Sequence, residues 1–257
     1  MPMLKRLLLL SSSKVADTGF LEHALSLIEQ FVADNLLTDA LSTDAPPTDK
    51  QTVETKKLLF IPYAGISIGF DQYESMLKDA LKKINVEIQS IHHAQDPIQA
   101  ISQAQGIITG GGNTFSLLNT LHKQQLIEPI RQAVQQGIPY IGWSAGSNIA
   151  APTIRTTNDM PIVEPPSFNA LNLLPWQINP HYIDGNPPGH NGETRQQRIE
   201  EFLIENPAQK VIGIPEGTAL KLQNEQLHYI GNTEGFIFKK GSKTVFNSES
   251  DLNQLLA

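Results

Sequence analysis

Ile138-Pro139-Tyr140-Ile141-Gly142-Trp143-Ser144-Ala145-Gly146 is the stretch on which the reading of this chain turns. It opens as a short apolar run suited to a parallel strand covered on both faces. It closes as a G-x-S-x-G pattern, in which a serine occupies a sharp strand-to-helix turn. A glycine two residues before and two after removes the Cβ atoms that would crowd that turn. The hydroxyl is thereby exposed near a helix N-terminus, where free N–H groups can stabilise an oxyanion. Ser144 is therefore the candidate nucleophile, and the rest of the chain decides whether it has company.

Working outward, the first half alternates strand and helix. Strands are expected over Leu4 to Leu10, Lys57 to Tyr63, Val86 to Ile91 and Gly106 to Thr109. Between them, helical periodicity runs over Phe20 to Val32, Phe70 to Ile84 and Ile98 to Gln103, then over Thr114 to Leu121 and Leu126 to Gln136. The helix after Ser144 is expected to reach about Ala151. Such alternation predicts an α/β fold, a doubly wound and mostly parallel sheet with helices on both faces. Strands continue less regularly near Leu174 to Ile178, Val211 to Ile214, Leu220 to Leu222, His228 to Ile230 and Phe236 to Lys239, with one more helix over Thr194 to Glu205. The stretch 34–56, rich in Thr, Pro and Asp, reads as a surface insertion loop within one domain spanning residues 1–257.

Composition narrows the function classes. The 257 residues are 40% hydrophobic and 18% charged, enough for a sizeable core. A formal net charge of -7 argues against a general binder of nucleic acid or anionic membranes. The absence of cysteine removes disulfides, thiolate metal sites and a cysteine nucleophile. Leu7 to Leu10 is too short for a signal-peptide core, and no stretch approaches a membrane span. A soluble, cytoplasmic protein, monomeric or homodimeric, is expected.

In open α/β sheets, ligands sit outside the carboxyl ends of the strands. Two such ends carry unusual residues: Gly110-Gly111-Gly112-Asn113 after one strand and Ser144 after another. Successive glycines expose N–H groups that form an anion-binding concavity. No nucleotide fingerprint follows them, so the N–H groups of Gly112 and Ala145 are the expected oxyanion donors. A serine nucleophile needs a base. Of seven histidines, His181 is the best placed, just past an apolar segment that stops at Pro180, with His190 second. His23 and His122 read as surface residues, and one of His92 and His93, after a strand, is a more distant candidate. The acid that would orient the base is either Asp159 or Glu216, and the residues alone do not choose. Arg155, Arg195 and Arg198 are the cations near these segments. His181, Asp184, His190 and Glu193 match no ligand spacing, so no metal and no cofactor are expected.

Taken together, Gly110 to Phe115, Ile141 to Gly146, Arg155 to Pro161, Asn179 to His181, Gly189-His190, Gly192 to Arg195 and Ile214 to Gly217 resemble the dipeptidase E (α-aspartyl dipeptidase) family. These are serine peptidases related to cyanophycinase. The resemblance covers most of the chain from about Leu58 onward; the long 34–56 stretch departs from it. It implies a fold similar to class I glutamine amidotransferases and hydrolysis of dipeptides with an N-terminal aspartate. On that basis Ser144 is the nucleophile, His181 the base, Asp159 the charge-relay acid with Glu216 as its rival, Gly112 an oxyanion donor, and Arg195 the partner of the aspartyl side chain. Two other functions remain in play. One is a cyanophycinase-like peptidase acting on β-aspartyl-arginine material; the other is a non-catalytic small-molecule binder of the same fold.

Overall fold

The computed structural model describes residues 5–36, 55–186, 189 and 191–256. Its centre is β1 (Leu7–Leu10), four leucines with no polar alternation, all buried. A strand can be apolar at every position only when both faces of its sheet are covered. Leu7 and Leu9 pack into one core and Leu8 and Leu10 into another. Each such leucine stabilises the fold by about 2 kcal/mol at most.

β1 is parallel to β5 (Tyr140–Trp143), with Leu10 opposite Trp143. Beyond β5 lie β4 (Gly106–Thr109), β2 (Lys56–Ile61) and β3 (Val86–Ser90), giving the order β3-β2-β4-β5-β1 for the parallel part. The chain first moves from β1 to β2 to β3, using α1 (Leu25–Leu36) and α2 (Phe70–Leu81). It then returns through β4 to β5 by α3 (Pro97–Gln103), α4 (Thr114–Lys123) and α5 (Ile127–Gln135). Right-handed crossovers put helices of the outward path on one face and those of the return path on the other. Accordingly Phe31, Val32, Tyr73 and Leu77 share a core with Leu8 and Leu10, whereas Ile101, Leu117, Leu121 and Ile130 share one with Leu7 and Leu9. The expected doubly wound architecture is thus present.

The second half departs from a single parallel sheet. After α6 (Ala145–Asn148), β6 (Gln177–Pro180) and α7 (Arg195–Glu205), β7 (Val211–Ile214) pairs in parallel with β6 in a second sheet. β8 (Ala219–Gln223) and β9 (Gln226–Ile230) extend the first sheet beyond β1, both antiparallel. β10 (Gly235–Lys239) and β11 (Ser242–Phe246) complete the four-stranded sheet, ordered β11-β10-β7-β6. β11 escapes sequence reading because Ser242-Lys243-Thr244-Val245 offers no buried face; only Phe246 is buried. β6 begins later than expected because Leu173, Leu174 and Trp176 are core residues outside any strand.

Three boundaries move. The first helix starts with a 3-10 turn over Glu22–Ala24 and then runs on to Leu36, so 34–36 are helical rather than loop. Lys56 already belongs to β2. Residues 37–54 of the expected insertion, and His190, lie outside the described residues. α6 stops at Asn148, where the bonds tighten to Ala150 N–H on Ser147 O and Ala151 N–H on Asn148 O. Among the described residues, no helix is long and apolar enough to cross a membrane.

Candidate active site

Ser144 follows β5 directly and has φ 52° and ψ -114°, a strained conformation for a residue with a Cβ. The flanking glycines are required by contact, not only by flexibility. A Cβ on Gly142 would lie 2.5 Å from Gly146 O, and one on Gly146 would lie 2.1 Å from Thr109 O. The turn is bolted from three sides. Ser144 N–H donates to Leu10 O (3.2 Å), Ser147 Oγ donates to Leu10 O (2.7 Å), and Tyr140 OH donates to Gly146 O (2.7 Å).

The glycine loop after β4 closes over the same strand end. Gly112 has φ +134°, and a Cβ there would strike Ala64 O at 2.1 Å. The buried Tyr73 of α2 donates its hydroxyl to Gly111 O (3.0 Å) and accepts from Trp143 Nε1 (3.1 Å). Burial pushes the Tyr73 phenol up to about 12, so it stays protonated as a fixed donor. Neither the Gly112 nor the Ala145 N–H is engaged by an acceptor among the described residues. Two free donors thus accompany the serine, one from each of the two strand ends that sequence reading singled out.

His181 follows β6 and has φ 54°. Its Nε2 lies 3.0 Å from Ser144 Oγ, and its Nδ1 lies 2.8 Å from Glu216 Oε1. Glu216 thus occupies the position for orienting the imidazole. Asp159, the acid implied by the resemblance, is held elsewhere: its Oδ2 accepts from Thr114 N–H (2.7 Å) and Thr114 Oγ1 (2.5 Å). That is the N-terminus of α4, where a carboxylate is favoured by the helix dipole. Asp159 still shares a small cleft with Ser144, His181 and Asn148. Both of its bonds fall on Oδ2, leaving Oδ1 without one among the described residues.

Sequence reasoning missed the serines that end β1. Ser11 Oγ accepts from His181 N–H (2.8 Å) and donates to Ile214 O (2.8 Å), while Ser12 Oγ accepts from Gly217 N–H (3.3 Å). Buried hydroxyls directly after a fully apolar strand were the available signal. Asn148 was also missed: Nδ2 donates to Ile178 O (2.7 Å), and its buried Oδ1 has no partner among the described residues. His23 is half-buried rather than a surface residue, and burial lowers its pKa, opposed by the charge of Glu216. His92 and His93 do not approach Ser144; they bond Asp71 and Glu74.

The three arginines separate clearly. Arg155 lies over the Phe168 ring, 5.9 Å from its centroid, and Arg198 pairs with Glu193 at 3.6 Å. Arg195 opens α7 behind the Thr194 cap, and its buried Nη1 has no hydrogen bond among the described residues. Burial lowers its pKa, opposed in part by the charges of Glu216 and Asp159. The guanidinium therefore lies in the electrostatic reach of both candidate acids, with hydrogen-bonding capacity unspent.

Comparison with known proteins gives the arrangement a context. The model of Peptidase family S51 matches residues 45–230. The chain is 50% identical to peptidase E of Shewanella denitrificans over 250 residues, covering 97% of this chain and 98% of that protein. Identity to peptidase E of Shewanella amazonensis is 48% over 252 residues, covering 98% and 99%. A crystal structure described as a candidate peptidase E from Listeria monocytogenes EGD-e superposes with a TM-score of 0.62 at 22% identity, covering 90% of this chain and all of that one (100%). A peptidase from an acI-B1 Actinobacterium superposes with a TM-score of 0.66 at 17% identity, covering 98% and 97%. At those identities the two structures speak for the fold alone.

Proposed function

Because the chain belongs to peptidase family S51 and is a serine-type peptidase, we propose that it is a dipeptidase that removes an N-terminal aspartate through an acyl-enzyme. The observation that carries this reading is His181, hydrogen-bonded to Ser144 Oγ on one nitrogen and to Glu216 on the other. In the proposed cycle Ser144 Oγ attacks the scissile carbonyl while His181 Nε2 takes its proton. The oxyanion is met by the N–H groups of Gly112 and Ala145. His181 then returns the proton to the leaving amine, and a water activated by the same imidazole hydrolyses the ester. Glu216 holds the tautomer and balances the imidazolium, the role that the resemblance gave to Asp159.

This leaves Asp159 free for binding. A dipeptidase must recognise a free α-ammonium, and the unengaged Oδ1 of Asp159, in the cleft beside Ser144, supplies the counter-charge. Arg195 supplies the opposite charge for the aspartyl carboxylate, through a guanidinium fork that meets carboxylates with two parallel bonds. The test is a panel of Asp-Leu, Leu-Leu and a β-aspartyl-arginine dipeptide, run on wild type and Ser144→Ala. Hydrolysis of Asp-Leu alone, lost in Ser144→Ala with the fold retained, is expected. Preference for the β-linked substrate would make the protein cyanophycinase-like. Binding of all three without turnover would make it a non-catalytic binder.

A further inference from the structure

On the edge of the first sheet, away from Ser144, two imidazoles and two carboxylates point at one another. Asp71 and Glu74 come from the first turns of α2, and His92 and His93 from the 3-10 turn over Ile91–His93 that ends β3. One ligand-capable atom from each of the four lies within 4.8 Å of the others. His92 Nε2 is 2.9 Å and His93 Nε2 3.1 Å from Asp71 Oδ1, and His93 Nε2 is 3.0 Å from Glu74 Oε2. From this geometry we infer that Asp71, Glu74, His92 and His93 form a binding site for a zinc ion, separate from the peptidase centre.

The donor set fits the metal. Two imidazole nitrogens and two carboxylate oxygens make a neutral-plus-anionic N2O2 shell that suits Zn2+ and disfavours the hard, all-oxygen cations Mg2+ and Ca2+. Tetrahedral zinc with ligand bonds of about 2.0–2.1 Å separates its ligand atoms by about 3.3–3.5 Å. Three of the six ligand-atom pairs stand at 2.9–3.1 Å and need to open by only a few tenths of an ångström, and all four atoms already lie within 4.8 Å of one another. In binding, zinc takes the place of the Nε2 protons that make these contacts: a neutral ring carries its proton on Nδ1 instead, facing Ser90 Oγ in the case of His92, and a protonated ring releases one proton to solvent.

The surroundings hold two of the four ligands, His92 and Glu74, in place, while Asp71 and His93 are exposed on the open side. Ser90 Oγ lies 2.6 Å from His92 Nδ1 and 3.4 Å from Phe60 O, which fixes the ring with Nε2 outward. Glu74, nearly buried, uses its other oxygen, Oε1, for Ser90 N–H (3.2 Å) and Lys78 Nζ (2.9 Å), leaving Oε2 on the cluster side. A ligand nitrogen whose ring partner is anchored and a carboxylate braced by backbone are what a metal centre needs beyond its ligands. The ordinary alternative is a set of His–carboxylate hydrogen bonds at an exposed edge, which would bind no zinc. The site has structural reach: Tyr73, between Asp71 and Glu74 on α2, holds the glycine loop through Gly111 O. Zinc would clamp the start of that helix to the end of β3.

Zinc titration of the full chain, read by competition with a chromogenic chelator, tests this. One ion per chain is expected, at micromolar affinity or tighter, with no comparable uptake of Mg2+. His92→Gln with His93→Gln should lose that ion, and Ser90→Ala should weaken it about 10-fold or more while keeping all four ligands. Substituted Co2+ should show the intense visible bands of a tetrahedral complex in wild type and not in the double variant. His181→Ala should retain the ion. No uptake by wild type, uptake unchanged in the double variant, loss in His181→Ala, or equal uptake of Mg2+ would each overturn the proposal. None of these readouts depends on peptidase activity.

Discussion

At the residue scale, the question left by the sequence was which carboxylate serves His181. Asp159 lies between Ser144 and His181 in chain order and Glu216 ends an apolar segment, and nothing in residue type or spacing ranks them. The distinction is tertiary: parallel pairing of β6 with β7 brings Pro180 opposite Ile214, so the residues just beyond them, His181 and Glu216, become neighbours. Ser144 and His181 were legible because a strained turn between glycines and a histidine behind a strand-ending proline are local signals. Ser11 and Asn148 were not, since their importance comes from partners 170 and 30 residues away. The geometry yields a kinetic separation. Glu216→Gln should lower kcat for Asp-Leu by about 100-fold or more, since the imidazolium loses its counter-charge and its fixed tautomer. Asp159→Asn keeps an oxygen for the Thr114 donors and should act mainly through KM. Steady-state kinetics on both variants, with circular dichroism to confirm folding, decide the matter. A larger kcat loss in Asp159→Asn would return the charge-relay role to Asp159.

At the element scale, the parallel half was readable because each strand is a short apolar run and each helix a periodic one. The second half was less so: β11 has one buried side chain, and the antiparallel addition of β8 to β1 is visible only once Leu10 meets Ala219. The elements also state where the nucleophile turn tolerates nothing. β4 and α6 approach so closely at Gly146 that a methyl group would overlap the Thr109 carbonyl, a backbone atom of a central strand that cannot step aside. Gly146→Ala should therefore destabilise by about 2 kcal/mol or more and displace Ser144 as well. Gly69→Ala is the matched comparison. Its Cβ meets nothing within 4 Å at the N-cap of α2, and its cost should stay below about 1 kcal/mol. Urea unfolding of the two variants, beside their rates on Asp-Leu, measures the difference. Equal stabilities would mean that the strand and helix can separate at no cost, against the packing described above.

At the scale of the whole molecule, charge works against the proposed substrate. The chain carries a formal net charge of -7, and Asp-Leu is itself an anion near neutral pH. The general field therefore gives such a substrate no attraction, and recognition must come from a local cation. Arg195 meets the requirement: of the three candidate arginines it alone has neither an ion pair nor an aromatic partner among the described residues, and it holds a buried, unbonded Nη1. Burial already lowers its pKa, so an arriving carboxylate relieves a cost that the free enzyme carries. Arg195→Met should then lose about 3 kcal/mol or more in kcat/KM for Asp-Leu, because the aspartyl carboxylate would be desolvated without a partner. The loss for Ala-Leu should be much smaller, so that selectivity collapses toward uniformly poor activity. Arg195→Lys should recover only part of the loss, since an ammonium offers a point charge without the two-pronged geometry. Added salt screens the repulsive surface more than a buried pair, so wild-type selectivity for Asp-Leu should survive from low to physiological ionic strength. The measurement is kcat/KM for Asp-Leu and Ala-Leu in the three proteins at two salt concentrations. An unchanged Asp-Leu to Ala-Leu ratio in Arg195→Met would assign the aspartate to Arg155 or Arg198, which would have to give up Phe168 or Glu193 to reach it.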